Sequence, residues 1–104
     1  MRIILDENVP SGLRQMLAPR QVTTVQQAGF SGLKNGALLA ALEGAFEVFV
    51  TADKNLRYQQ NLAGRTLTIV ELPTNRWPLL RPLKAKILGA IDSSKPSSYV
   101  TVIA

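Results

Sequence analysis

Two short stretches of this 104-residue chain run from apolar residues into a carboxylate: Ile3-Ile4-Leu5-Asp6-Glu7-Asn8 and Val48-Phe49-Val50-Thr51-Ala52-Asp53. An uninterrupted apolar run reads as a central parallel strand, covered on both faces. Acids at its carboxyl end lie where open α/β sheets bind their ligands. Asp6 and Asp53 are therefore expected to converge at one edge of one sheet. Neighbouring strands are about 4.8 Å apart, so two such acids can reach a single hard cation. The chain has no cysteine and no histidine. Thiolate sites are excluded, as are the usual general base and the commonest nitrogen ligand. Oxygen ligands alone favour Mg²⁺ or Mn²⁺ over Zn²⁺. Such an ion polarises a phosphoryl oxygen and supplies a nucleophile without histidine. Asp6 and Asp53 are the candidate catalytic residues and metal ligands. Glu7 either adds a third carboxylate or points away, because neighbours on an extended chain diverge.

Other polar residues fall where a phosphodiester could meet them. Lys34, Lys54, Arg57 and Arg76 lie in loops or helix starts that follow strands and suit phosphate contacts. Asn8, Asn35, Asn55 and Asn75 suit the orientation of water or a ribose. Each assignment has a plainer rival. Asp6 with Asn8 and Pro10 also fits turn chemistry, and Asp53 also fits a helix cap. Glu7 fits a solvated or helix-dipole carboxylate, and the cations fit solvated surface.

The elements that must position these residues follow from pattern. Strands are expected at the opening run, at Gln21 to Val25, at Phe46 to Thr51 and at Thr66 to Leu72. Helices are expected at Ser11 to Leu17 and, capped by Asn35, from Gly36 to about Gly44. Further helices are expected from Leu56 to Leu62, closed by Gly64, and from Trp77 to about Ile91. Pro82 bends that last helix or delays its start. Tyr99 to Ile103 reads as a final edge strand, antiparallel or swapped onto a partner, so a homodimer through it is expected. Strand and helix alternate, which predicts one α/β domain over 1–104. Its sheet should be mainly parallel, with helices on both faces and right-handed crossovers.

Twelve Lys and Arg against seven Asp and Glu give a formal charge of +5. That balance leans toward an anionic partner such as RNA, DNA or an acidic protein segment. A bilayer span needs roughly 20 apolar residues, and the chain has no such run. Met1-Arg2-Ile3 leads directly into a strand, so no signal peptide is expected and the location implied is cytoplasmic.

Leu5-Asp6-Glu7-Asn8, Gly32-Leu33-Lys34-Asn35-Gly36 and Val50-Thr51-Ala52-Asp53-Lys54-Asn55-Leu56 together resemble the small PIN-like proteins. These are short relatives of the PIN-domain nucleases, described as predicted toxin components of bacterial toxin–antitoxin pairs. The likeness spans about residues 1–90. It implies a three-layer α/β/α PIN-like fold and a Mg²⁺- or Mn²⁺-dependent ribonuclease site, with an antitoxin protein as partner. It maps the first acid onto Asp6 and the acid of the Thr-x-Asp turn onto Asp53. Related sequences usually also carry an acid at the start of the middle helix. Here Lys34-Asn35-Gly36-Ala37 has none, and Glu43 lies at least a turn further on.

Two rival functions follow. A PIN-like module lacking that acid could bind RNA or a protein without catalysis. A receiver-like phosphoacceptor domain also places acids after its first and third strands. It requires a fifth parallel strand ending in lysine, which the sequence does not offer.

Overall fold

The structure is a computed structural model that describes residues 1–56 and 64–104. Five strands form one all-parallel sheet: β1 (Arg2–Leu5), β2 (Gln21–Thr24), β3 (Val48–Thr51), β4 (Thr68–Glu71) and β5 (Tyr99–Thr101). Their spatial order is β2-β1-β3-β4-β5. β1 thus lies beside β3, in register Ile3 to Val48, Ile4 to Phe49 and Leu5 to Val50. The winding reverses there, and the ends of β1 and β3 border the crevice that reversal opens.

Alternation along the strands divides the core in two. Ile3, Leu5, Val48, Val50 and Val70 face one side, where they meet Leu13 and Leu17 from α1 (Gly12–Met16) and its C-cap. Ile4, Phe49 and Ile69 face the other, against Leu38, Leu39 and Leu42 of α2 (Asn35–Leu42). Strands buried on both faces need near-continuous apolar runs, and Ile3, Ile4 and Leu5 of β1 and Val48, Phe49 and Val50 of β3 supply them.

The expected last helix is divided. α3 (Trp77–Leu80) passes through a 3₁₀ turn (Arg81–Leu83) into α4 (Lys84–Ser93). Pro82 cannot donate a helical hydrogen bond, and its ring crowds the preceding turn, so the chain tightens there. Asn35 is the first helical residue of α2, and Lys34 holds the N-cap position without a side-chain cap bond. The expected helix from Leu56 to Leu62 lies, beyond Leu56, outside the described residues. The last strand lies at a sheet edge, as expected, but is not antiparallel: β5 pairs in parallel with β4, in register Val70 to Val100.

The crossovers do not share one hand. β1 to β2 steps one way across the sheet over the α1 face; β2 to β3 steps the other way over the α2 face. Those two agree in hand. β4 to β5 also steps the second way, yet Leu80, Ile87 and Ile91 place α3 and α4 on the α1 face. That crossover is of opposite hand, contrary to the right-handed expectation. The rule applies where a strand feeds straight into a helix; here Pro73-Thr74-Asn75 turns the chain first. Burial supplies the reason: Val48, Val50, Val70 and Val102 need cover on that face, and fully buried Ile87 and Ile91 provide it.

α3 is also tied to α1. A Cβ built on Gly12 would lie 2.9 Å from the Trp77 indole, a separation that packing does not tolerate. Gly12→Ala is therefore expected to destabilise the protein by up to about 2 kcal/mol in urea denaturation. Overpacking typically costs about 1–3 kcal/mol, against a helix-propensity gain of about 1 kcal/mol.

Candidate functional site

Asp6 leaves the sheet at the end of β1, but its backbone stays attached. Its N–H donates to the Val50 carbonyl at 2.9 Å, and its own carbonyl accepts the Val9 N–H at 3.1 Å. The side chain is held at both oxygens. Oδ1 accepts the Glu7 N–H and Oδ2 accepts the Thr51 hydroxyl, each at 2.8 Å. The same Thr51 oxygen accepts the Asp53 N–H at 3.0 Å. One fully buried hydroxyl therefore fixes the Asp6 carboxylate and the backbone of Asp53 together. Asn8 adds a second tie, its Oδ1 accepting the Ala52 N–H at 3.2 Å. Asp53 Oδ1 accepts the Asn55 N–H at 2.9 Å, the local bond of an Asx turn.

Asp6 and Asp53 line one cavity of about 170 Å³, with Lys34 at its rim and Leu38, Leu39 and Phe49 among its walls. The expected convergence is thus present. Burial pushes the Asp6 carboxyl above its ordinary range, opposed by the hydrogen bonds from Thr51 and the Glu7 N–H. The negative charges of Asp53 and Glu7 push it further up. A carboxylate oxygen has about two lone pairs, so each Asp6 oxygen keeps one beyond its hydrogen bond. A half-buried, doubly braced carboxylate beside a second one is a donor set a small divalent cation fits. Mg²⁺ takes one or two carboxylates and fills its remaining positions with water and phosphate oxygens.

The other candidates are placed unequally. Glu7 is exposed and does not line the cavity; its Oε1 accepts the Gly32 N–H at 3.4 Å. Asn8 braces the two turns to each other. Lys34 reaches the cavity, but no ion pair joins it to either aspartate among the described residues. Lys54 and Asn55 are exposed on the turn after Asp53, and Asn75 and Arg76 on the turn after β4. Asn35 opens α2, and Arg57 lies outside the described residues. Among those residues no group of three or more metal-ligating side chains gathers at one point. Sequence reasoning missed the role of Thr51. The available signal was a hydroxyl two residues before Asp53, on the strand that adjoins β1.

Compared with known proteins, the chain matches no family model, no curated protein and no solved structure. What the fold and site define is a five-stranded, all-parallel α/β domain. A braced pair of aspartates lies at the carboxyl ends of its adjacent strands β1 and β3.

Proposed function

We propose that the protein is a metal-dependent ribonuclease of the PIN-like class, with helices and sheet in the three-layer α/β/α arrangement of that class. Asp6 and Asp53 hold Mg²⁺ or Mn²⁺, and RNA is the substrate. The resemblance extends the reading to the cytoplasmic toxin of a toxin–antitoxin pair. One observation carries the proposal: two carboxylates share a cavity while the acids elsewhere are occupied. Glu43 accepts from Thr66, Glu47 pairs with Arg2, Glu71 accepts from Tyr99 and Asp92 pairs with Arg20. The bound ion supplies Lewis acidity toward a phosphodiester and a nucleophile at neutral pH. The chain's own residues do the positioning. Thr51 and the Glu7 N–H orient Asp6, Asn8 fixes the turn that carries Asp53, and Lys34 offers a cation to a phosphate.

A second reading, a non-catalytic RNA- or protein-binding module, is favoured by the absence of a third acid in the cavity, where Lys34 stands. The receiver reading regains a fifth parallel strand in β5. However, Val102 and Ile103 follow it where lysine is required, and the reversed last crossover departs from a doubly wound sheet of uniform hand.

Titration with MnCl₂, followed by thermal unfolding and by cleavage of single-stranded RNA, separates the readings. At a free concentration 100 times Kd, a bound ion stabilises by about 2.7 kcal/mol. The nuclease reading expects that gain together with cleavage, and expects Asp53→Asn to lose both. RNA binding with neither stabilisation nor cleavage would establish the module instead.

A further inference from the structure

We propose that the free edge of β2 is a docking site for an extended acidic segment of a partner polypeptide, added to the sheet as a further strand. An open sheet has two edges, and here they are β2 and β5. The outer side of β2 borders a groove of about 1250 Å³, formed with α1 and residues 45–46 and separate from the aspartate cavity.

Hydrogen bonding shows which backbone groups face that groove. The Val25 N–H donates to the Leu5 carbonyl of the neighbouring strand. Alternate residues of a strand turn their N–H and C=O to the same side, so Thr23 also faces β1, while Val22 and Thr24 face outward. Thr24 is already satisfied. Its N–H donates to Gln27 Oε1 at 3.1 Å, its carbonyl accepts the Ala28 N–H at 3.0 Å, and its hydroxyl accepts the Gln27 N–H at 3.1 Å. Among the described residues the edge is therefore closed at its carboxyl end and open at Val22. Proteins commonly blunt exposed edges with lysine, proline or a bulge. Gln21–Thr24 contains neither lysine nor proline and pairs with β1 without interruption. An open edge of this kind recruits a strand, main-chain bonds giving affinity and flanking side chains selectivity.

Charge chooses the occupant. Arg2, Arg14 and Arg20 line the groove, and no acid does. Arg2 and Arg20 are paired with Glu47 and Asp92, which stand outside the lining. Exposed Arg14 has no ion pair among the described residues. A second copy docked on the same edge about a twofold axis would bring the two arginine sets together, in a chain already at +5. An acidic strand meets no such repulsion.

The test uses the full chain and two synthetic peptides of about nine residues, enough for one strand: one alternating Glu and Val, the other Lys and Val. NMR amide shifts and hydrogen exchange are the readouts. The Glu–Val peptide is expected to shift the Val22 amide and slow its exchange at least about tenfold, and the Lys–Val peptide to do neither. Arg14→Glu, on the exposed surface, is expected to weaken the acidic peptide about tenfold or more, or 1.4 kcal/mol. Val22→Pro removes the outward N–H at a position edge strands tolerate and is expected to abolish binding. Equal response to both peptides, shifts centred away from β2, or an unchanged affinity in Arg14→Glu would overturn the proposal. Concentration-dependent protection of Val22 in the chain alone would overturn it in favour of a dimer.

Discussion

Asp6→Asn is expected to reduce metal-dependent RNA cleavage by about a hundredfold or more, while leaving the metal-free protein as stable as before or more so. The first effect follows from charge. An amide in place of the carboxylate removes one of two anionic ligands and the electrostatic stabilisation that a bound ion supplies, an effect of about 10²–10³ where such groups are lost. The second follows from burial and hydrogen bonding. Asparagine Oδ1 can accept the Glu7 N–H as Asp6 does now, and its Nδ2 can donate to Thr51 Oγ1, at the cost of the bond the Thr51 hydroxyl now donates. The brace survives, but the half-buried charge does not.

The sign of the pH dependence can be worked out. Burial raises the Asp6 pKa in the folded state, so the folded chain holds that proton to higher pH than the unfolded chain. Stability then falls as pH rises from the unfolded value, about 3.9, through the raised folded value, and the full cost remains above it. Asparagine bears no such cost. The variant's advantage is therefore absent in acid, grows across that window and levels off above it. Urea denaturation at several pH values without metal measures it. Adding Mn²⁺ should then reverse the order, because only the native site gains an ion. Cleavage undiminished in Asp6→Asn would remove Asp6 from the metal site.

The parts legible in the sequence were those with a short-range physical signal. Ile3 to Leu5 and Val48 to Val50 announce buried central strands because each run lacks the polar alternation of a half-exposed strand. Asp6 and Asp53 inherit their meeting from the pairing of those two strands. The parts that were not legible depend on where the chain travels between elements. Tyr99–Thr101 has strand character, but three residues carry no direction. The route of residues 72–98, turned by Pro73 and broken at Pro82, makes β5 parallel. The apolar stretch Tyr99 to Ile103 signals an edge strand, and β5 lies at one edge of the sheet. Nothing in Gln21 to Val25 signals the other edge: the first crossover moves β2 outward and leaves it there with a groove beside it. The Thr51 bond to Asp6 spans 45 positions and exists only once the strands are in register.

Phe49→Ala is expected to be the most destabilising single substitution proposed here, costing about 3–5 kcal/mol. Phe49 is 1% exposed at the middle of β3, paired with Ile4 on one side and Ile69 on the other. Its ring packs in the cluster with Leu38, Leu39, Leu42 and Leu56. These four residues, drawn from α2 and the turn after β3, cannot all close on the space an alanine leaves, since sheet and helix are each held by their own hydrogen bonds. The void persists, and with it the cavity cost. A domain of this size has only about 5–15 kcal/mol in total, and each kcal/mol moves its melting temperature by about 4–8 °C. A fall of roughly 12–40 °C is therefore expected. Ile103→Ala, at a position 73% exposed, should stay within about 0.5 kcal/mol and serves as the control. Because Phe49 also walls the aspartate cavity, the variant has a second signature. Below its melting point its metal affinity should fall less than that of Asp53→Asn, since both carboxylates and the Thr51 brace remain. A loss under about 1 kcal/mol for Phe49→Ala would contradict the packing of α2 on β3.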